Sequence, residues 1–351
     1  MARKGTSRDD QPALFAFAPE AAPDAPPKPE SKPDRVAPVP IDDETARLAQ
    51  ALPANIHLGT SSWSFPGWAG LVYAREESQT ALARHGLRAY ASCPIFRSVG
   101  IDKTFYRPAL ERDYAEMAAA VPAGFRFLVK AHQALTQPHE DYRSQDEAAR
   151  LAARAAGDAS ALFLDAAYSR DFIIAPTIQG LRETCGPIVF QFPALRLANL
   201  GGAARLIDRL FSFLDALPKG PLYGVEIRNP TLLTPAYAQA LRDAGAVHVY
   251  NVHPSAGALE QQLALMPPAS LARPLVVRWM LNLKFSYEGA AERYAPFARL
   301  VDEDPHHRAE IARLCRELAA INQPVYVIAN NKAEGSAPGT IRKLAERIVG
   351  S

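Results

Sequence analysis

Residues 222–250 read LYGVEIRNPTLLTPAYAQALRDAGAVHVY, and their pattern decides the fold. Two short apolar runs, Leu222–Ile227 and Ala246–Tyr250, flank an amphipathic stretch, Pro235–Ala244, that opens on proline. Proline suits the first helical position, where its missing N–H costs nothing. Strand, helix and strand in under thirty residues is the unit that joins neighbouring parallel strands. The same alternation extends in both directions. Strands are predicted at Ile56–Thr60, Phe96–Ile101, Phe125–Val129, Ile188–Gln191, Leu222–Ile227, Ala246–Tyr250, Leu275–Trp279 and Val325–Ala329. Between them lie helical segments such as Arg107–Ala120, Gly202–Leu217 and Pro305–Ile321, the last with Asp304 placed to cap it.

The gap after the third strand is too long for one crossover. It is expected to hold helices at Gln145–Ala156, Ser160–Ala167 and Pro176–Thr184 beside the barrel mouth. No Gly-x-Gly-x-x-Gly follows the first strand, which argues against a dinucleotide-binding open sheet. The expected fold is therefore α/β: a (β/α)8 TIM barrel with a helical insertion between strands 3 and 4.

Composition agrees. Of 351 residues, 48% are apolar and 22% charged, enough for a sizeable core, and the formal net charge of +2 offers no global field for holding a polyanion. Any anion site must be local. Cys93, Cys185 and Cys315 show neither disulfide nor zinc-knuckle spacing and read as core residues in a reducing compartment. No stretch is apolar for the roughly 18 to 20 residues a membrane span needs, and a cytoplasmic location is expected.

Residues 1–48 read as a disordered proline-rich tail, with nine prolines by residue 40, and residues 49–351 as the barrel domain. Within the tail, Gln11-Pro12-Ala13-Leu14-Phe15 is an isolated apolar island. It resembles the Gln-x-x-Leu-Phe peptide that docks on the bacterial sliding clamp, with Gln11, Leu14 and Phe15 as anchors. A chance cluster in a tail is the competing explanation.

Barrels build their sites at the C-terminal ends of the strands. There the sequence supplies Thr60, Ser61 and Trp63; Asp102, Lys103 and Thr104; Lys130 and His132; Gln191; Glu226 and Arg228; Asn251 and His253; Arg278; and Asn330 and Asn331. Singly, a strand-end asparagine is usually a turn residue, and His253 before Pro254 a loop histidine. Lys130 and Glu226 say more, because each interrupts an apolar strand where an unpaired charge would be costly.

These residues fall within motifs that resemble a known family. Gly59-Thr60-Ser61-Ser62-Trp63-Ser64-Phe65, Thr104-Phe105-Tyr106, Phe127-x-Val129-Lys130-Ala131, Phe190-Gln191-Phe192-Pro193, Val225-Glu226-Ile227-Arg228 and Asn330-Asn331-x-x-x-Gly335 resemble the YecE-like proteins, domain of unknown function 72. The match runs from about residue 55 to 349. The resemblance implies a TIM barrel and no established reaction. It carries Tyr106 and Pro193 onto the family's recurrent positions alongside the strand-end residues. The chain departs from the family's pattern where Val99-Gly100-Ile101-Asp102 replaces Val-Glu-Ile-Asn, where Trp279-Met280-Leu281 stands in place of a strand-seven His-Gly, and where Lys332 replaces a histidine or aspartate.

Two functional classes follow. In the first, a hydrolase or lyase acts on a small anionic ligand, phosphorylated or sugar-like, with Glu226, Lys130 and Asp102 as the chemistry-bearing groups. Thr60, Ser61, Trp63, Thr104, Tyr106, His132, Gln191, Arg228, Arg278, Asn330 and Asn331 would line its site. Its competitor is an Arg–Glu network that merely closes the barrel top. In the second, a nuclease-like repair factor is recruited by the tail, and Asp102, His132, Glu226 and His253 would hold a metal if all point inward. A non-catalytic binding barrel is a third reading. The cofactor is unknown from sequence, and His306 and His307 read as solvated residues of a surface helix.

Overall fold

The computed structural model describes residues 36–138 and 162–350. Eight parallel strands close into a barrel in chain order: β1 Ile56–Thr60, β2 Ser98–Ile101, β3 Arg126–Lys130, β4 Cys185–Phe192, β5 Tyr223–Ile227, β6 Val247–Val252, β7 Leu275–Trp279 and β8 Val325–Ala329. The closing pair β1 and β8 is in register along its whole length, Ile56 against Val325 through Thr60 against Ala329. β1, β7 and β8 have the bounds read from the sequence. Elsewhere the ends move by a few residues, most at the start of β4.

Side chains alternate along each strand, and this period sorts the residues into two sets. One set points into the barrel, where Leu128, Val189, Val247, Val249, Val276, Tyr326 and Ile328 form a separate apolar cluster. The other set, including Phe127, Phe190, Val225, Tyr250, Val277 and Val327, packs under the surrounding helices. Gly59 is required by the close approach of β1 to β2, since a Cβ there would meet the Ser98 carbonyl oxygen at 1.9 Å. Two residues beyond Leu128, Val189, Gly224, Val249 and Val276, on the same face, stand Lys130, Gln191, Glu226, Asn251 and Arg278. The apolar plug of the barrel thus ends in a polar layer, as its alternation demands.

The helices follow the sequence reading closely. Pro235–Ala244 is capped by Thr234, whose hydroxyl accepts from the Tyr237 N–H, and Pro305–Ala320 by Asp304, whose carboxylate accepts from the His307 N–H at 3.1 Å. Between β3 and β4, a short helix at Ala166–Tyr168 runs through a π-helical stretch, Ser169–Ile174, into the helix Ala175–Leu181. The expected helix at 145–156 lies outside the described residues. The one expected from residue 160 is a turn over its described part, and the helix begins only at Ala166 with Asp165 as cap.

Packing against the barrel reaches further toward the N-terminus than residue 49. Val36 is buried, Val39 donates to the Val72 carbonyl, Ala74 donates to the Ala37 carbonyl, and the helix Asp43–Ala51 is tied by Arg342 to Thr45 at 2.8 Å. The boundary read between residues 48 and 49 falls inside that helix. The Gln11, Leu14 and Phe15 island lies outside the described residues. Among them, no helix is long and apolar enough to cross a membrane.

Candidate functional site

The polar layer converges on one carboxylate. Glu226, fully buried at the end of β5, has one oxygen 2.5 Å from Arg228 and the other 2.5 Å from Arg278, which reaches across from β7. The same Arg278 donates to the Gln191 amide oxygen at 3.1 Å, and its second terminal nitrogen lies 3.4 Å from Asp102, just after β2. One guanidinium therefore links the ends of β2, β4, β5 and β7. Burial alone would raise the Glu226 pKa, but Arg278 and Arg228, aided by Lys130, outweigh it and hold the carboxyl down at about 2. With both oxygens engaged and its proton that hard to add, Glu226 is a poor general acid or base.

Lys130 has the opposite character. Its ammonium stands 3.6 Å from the centre of the Phe105 ring, with little solvent contact. Burial pushes its pKa down to about 8; Asp102 and Glu226 pull upward, Arg278 and Arg228 downward. An amine that titrates near neutrality is able to take or give a proton, as an ordinary surface lysine is not.

Several buried donors and acceptors around this cluster have no hydrogen-bond partner among the described residues: both side-chain atoms of Asn251, Nε of Arg278 and Nη1 of Arg228. Asn251 belongs to the inward phase of β6 and stands one step beyond Val249. Burying such groups without partners costs about 1–3 kcal/mol each, so a polar ligand would find prepaid binding groups here. Above them His253 is half-buried, and its Nδ1 accepts from the Ser255 N–H at 3.2 Å. Burial, then Arg228, bring its pKa down to about 4.

The remaining residues singled out from sequence divide by phase. Ser61 accepts from the Asn330 amide at 2.9 Å on the inward face. Thr60, one residue earlier, faces outward and bonds the Tyr90 hydroxyl at 2.9 Å and the Ser62 carbonyl. Asn331, one residue after Asn330, is buried against Trp68 and the start of the last helix, accepting at 3.2 and 2.8 Å. Thr104 stands with its hydroxyl 2.7 Å from the carbonyls of Ile101 and Lys130 and clips the ends of β2 and β3 together. His132 is fully buried beneath the insertion, 3.0 Å from the Tyr168 hydroxyl. Thr60, Thr104, His132 and Asn331 thus each hold a partner within the protein, joining neighbouring elements around the mouth. Trp63 is nearly buried with Lys103 over its ring, whereas Tyr106 is 62% exposed at the rim.

The expected metal set does not gather. Glu226 is sequestered by guanidiniums and His132 by Tyr168. Among the described residues, the one group of at least three histidine, cysteine or acidic ligands within reach of one another is Glu260, His306 and His307. His307 is also buried rather than solvated, its Nδ1 2.6 Å from Asp304. Asn251 and Phe105 were not among the ligand contacts read from sequence. Counting inward phase along β6 would have found the first.

Two departures from the family pattern have structural counterparts. A Cβ on Gly100 would lie 3.2 Å from the backbone of Ser61, so the end of β1 sits where a larger residue on β2 would press. Lys332 lies over the rings of Tyr287 and Phe297, 4.0 and 5.6 Å from their centres.

No curated protein matches the chain. Among solved structures, it resembles a DUF72 family protein from Enterococcus faecalis V583, at 18% identity over 84% of this chain and 95% of that one, TM-score 0.55. It is also similar to a DUF72 family protein from Thermotoga maritima MSB8, at 19% identity over 84% and 97%, TM-score 0.50. At such identities the likeness shows the barrel alone. The sequence profile described as "Protein of unknown function DUF72" covers residues 57–350, nearly the whole barrel from its first strand to its last helix, and the chain belongs to that family.

Proposed function

We propose that the barrel mouth binds a small anionic ligand, carrying a carboxylate or phosphate, and that Lys130 moves a proton on it in a lyase- or hydrolase-type reaction. The observation that carries this reading is the pairing of a buried amine near pKa 8 with buried, unpartnered donors on Arg278, Arg228 and Asn251. In this arrangement Glu226 positions the two guanidiniums. It spends its charge holding them in place, which leaves their remaining N–H groups to meet the anion. Gln191 fixes Arg278 from the side, and Asp102 stands 3.4 Å from Arg278 at the more open edge of the cluster.

The test is a thermal-shift panel of inorganic phosphate, pyruvate and simple sugar phosphates on the wild type, Asn251→Ala and Lys130→Met. The expected result is stabilisation of the wild type by at least one class of anion, reduced in both variants. A wild type that none of them stabilises would remove the reading. Once a substrate is in hand, its turnover should rise with pH through about 8, as the Lys130 amine loses its proton.

A further inference from the structure

Away from the mouth cluster, the loop after β6 and the helix before β8 bring three ligand-type side chains together. Glu260 lies in the first turn of the helix Leu259–Leu265, and His306 and His307 in the first turn of Pro305–Ala320. His306 Nε2 is 2.9 Å from a Glu260 oxygen, and one ligand atom from each of the three residues lies within 4.8 Å of the others. We propose that Glu260, His306 and His307 form a zinc site at the rim of the barrel.

Two imidazoles and a carboxylate with a position left for water are a donor set that zinc accepts, and the spacing needs only small side-chain movements to reach bonding distance. A further observation stands outside the three ligands. Asp304 holds His307 Nδ1 at 2.6 Å and so fixes the ring, a carboxylate–histidine pairing of the kind that orients zinc ligands. Asp304 is itself held by a hydrogen bond from its N–H to Glu334 at 2.6 Å.

The local charge favours a cation. Glu260, Asp304 and Glu310 all act on His306. The partial positive charge of the helix N-terminus opposes a cation there, and these carboxylates offset it. His306 and Glu260 are 70% and 56% exposed as side chains, so a metal can enter from solvent and the ligands can close on it. Bound zinc would pin the helix Leu259–Leu265, which follows the loop carrying His253, to the helix Pro305–Ala320 between β7 and β8.

Titration of the tag-free full chain with zinc chloride alone tests this, read by calorimetry and by melting temperature. One equivalent should bind to the wild type, and melting should rise with zinc. His306→Ala and Glu260→Gln, both at exposed positions that the fold tolerates, should each weaken binding tenfold or more and abolish the rise. Cobalt(II) in place of zinc should give the intense visible bands of a tetrahedral site in the wild type only. No binding to the wild type, or equal affinity in wild type and both variants, would overturn the proposal.

Discussion

Two fully buried glutamates stand at the C-terminal side of this barrel, and they behave differently. Glu226 meets two guanidiniums, Arg228 and Arg278, with Lys130 close by, and is held ionised far below the usual carboxylate range. Glu334, in the short helix after β8, meets one guanidinium, Arg308 at 2.5 Å, and accepts from the Asp304 N–H. Burial raises its pKa; Arg308 pulls it down, but not enough, and the Asp304 charge works with burial. Both side chains are sealed from solvent. The number of cations per carboxylate decides which one carries a firm charge.

The largest effect should come from Glu226→Gln. It strands two buried guanidiniums, and removing one partner of a buried ion pair costs about 3–5 kcal/mol. Urea unfolding should show the midpoint fall accordingly, and a loss under about 1 kcal/mol would break the comparison. Next, Lys130→Met should stabilise the protein by on the order of 2 kcal/mol at pH 7, because an amine whose pKa is lowered on folding is charged there at a cost. The same variant should lose any anion-dependent stabilisation. If it is less stable than the wild type, the ammonium is an asset of the fold and not a strained group.

Smaller still is Glu334→Gln, expected within about 1 kcal/mol of wild type, since a neutral amide can still accept from Asp304 and Arg308. The pH dependence separates the two glutamates. Glu226, depressed on folding, contributes stability that is present above its unfolded pKa near 4.5 and is lost as pH falls through about 2. Glu334, raised on folding, contributes stability present below 4.5 and lost as pH rises through its shifted value. Between pH 7 and 5, the penalty of Glu226→Gln should therefore hold constant in thermal melts. Glu334→Gln should look relatively worse at pH 5 than at pH 7.

The strands were legible because each is a short apolar run bounded by a polar end, and periodicity survives without tertiary knowledge. What sequence reading lacked was phase. Ser61 and Thr60, or Asn330 and Asn331, are neighbours of equal polarity, yet one of each pair faces the mouth and the other the helices. Anchoring the count on the apolar residues that precede them resolves this, and it also selects Asn251. Contacts between separate crossovers left no such trace. Glu260 and His306 are 46 residues apart, and only the adjacency of β6, β7 and β8 brings them together. Pro38 and Val39 looked like part of a proline-rich arm because their partners, Tyr73 and Val72, lie in a distant loop.

The clustering of Arg228, Glu226 and Arg278 has a consequence for how a ligand arrives. Three cations, with Lys130, stand against two carboxylates, with Asp102, so the cup carries little net charge, on a chain whose own charge is nearly balanced. Beyond a Debye length of about 8 Å in physiological salt, incoming molecules feel almost nothing. Encounter should therefore be undirected and nearly indifferent to ionic strength, and selection happens on contact. Such a mouth discriminates between anions by how long they stay, not by how fast they come.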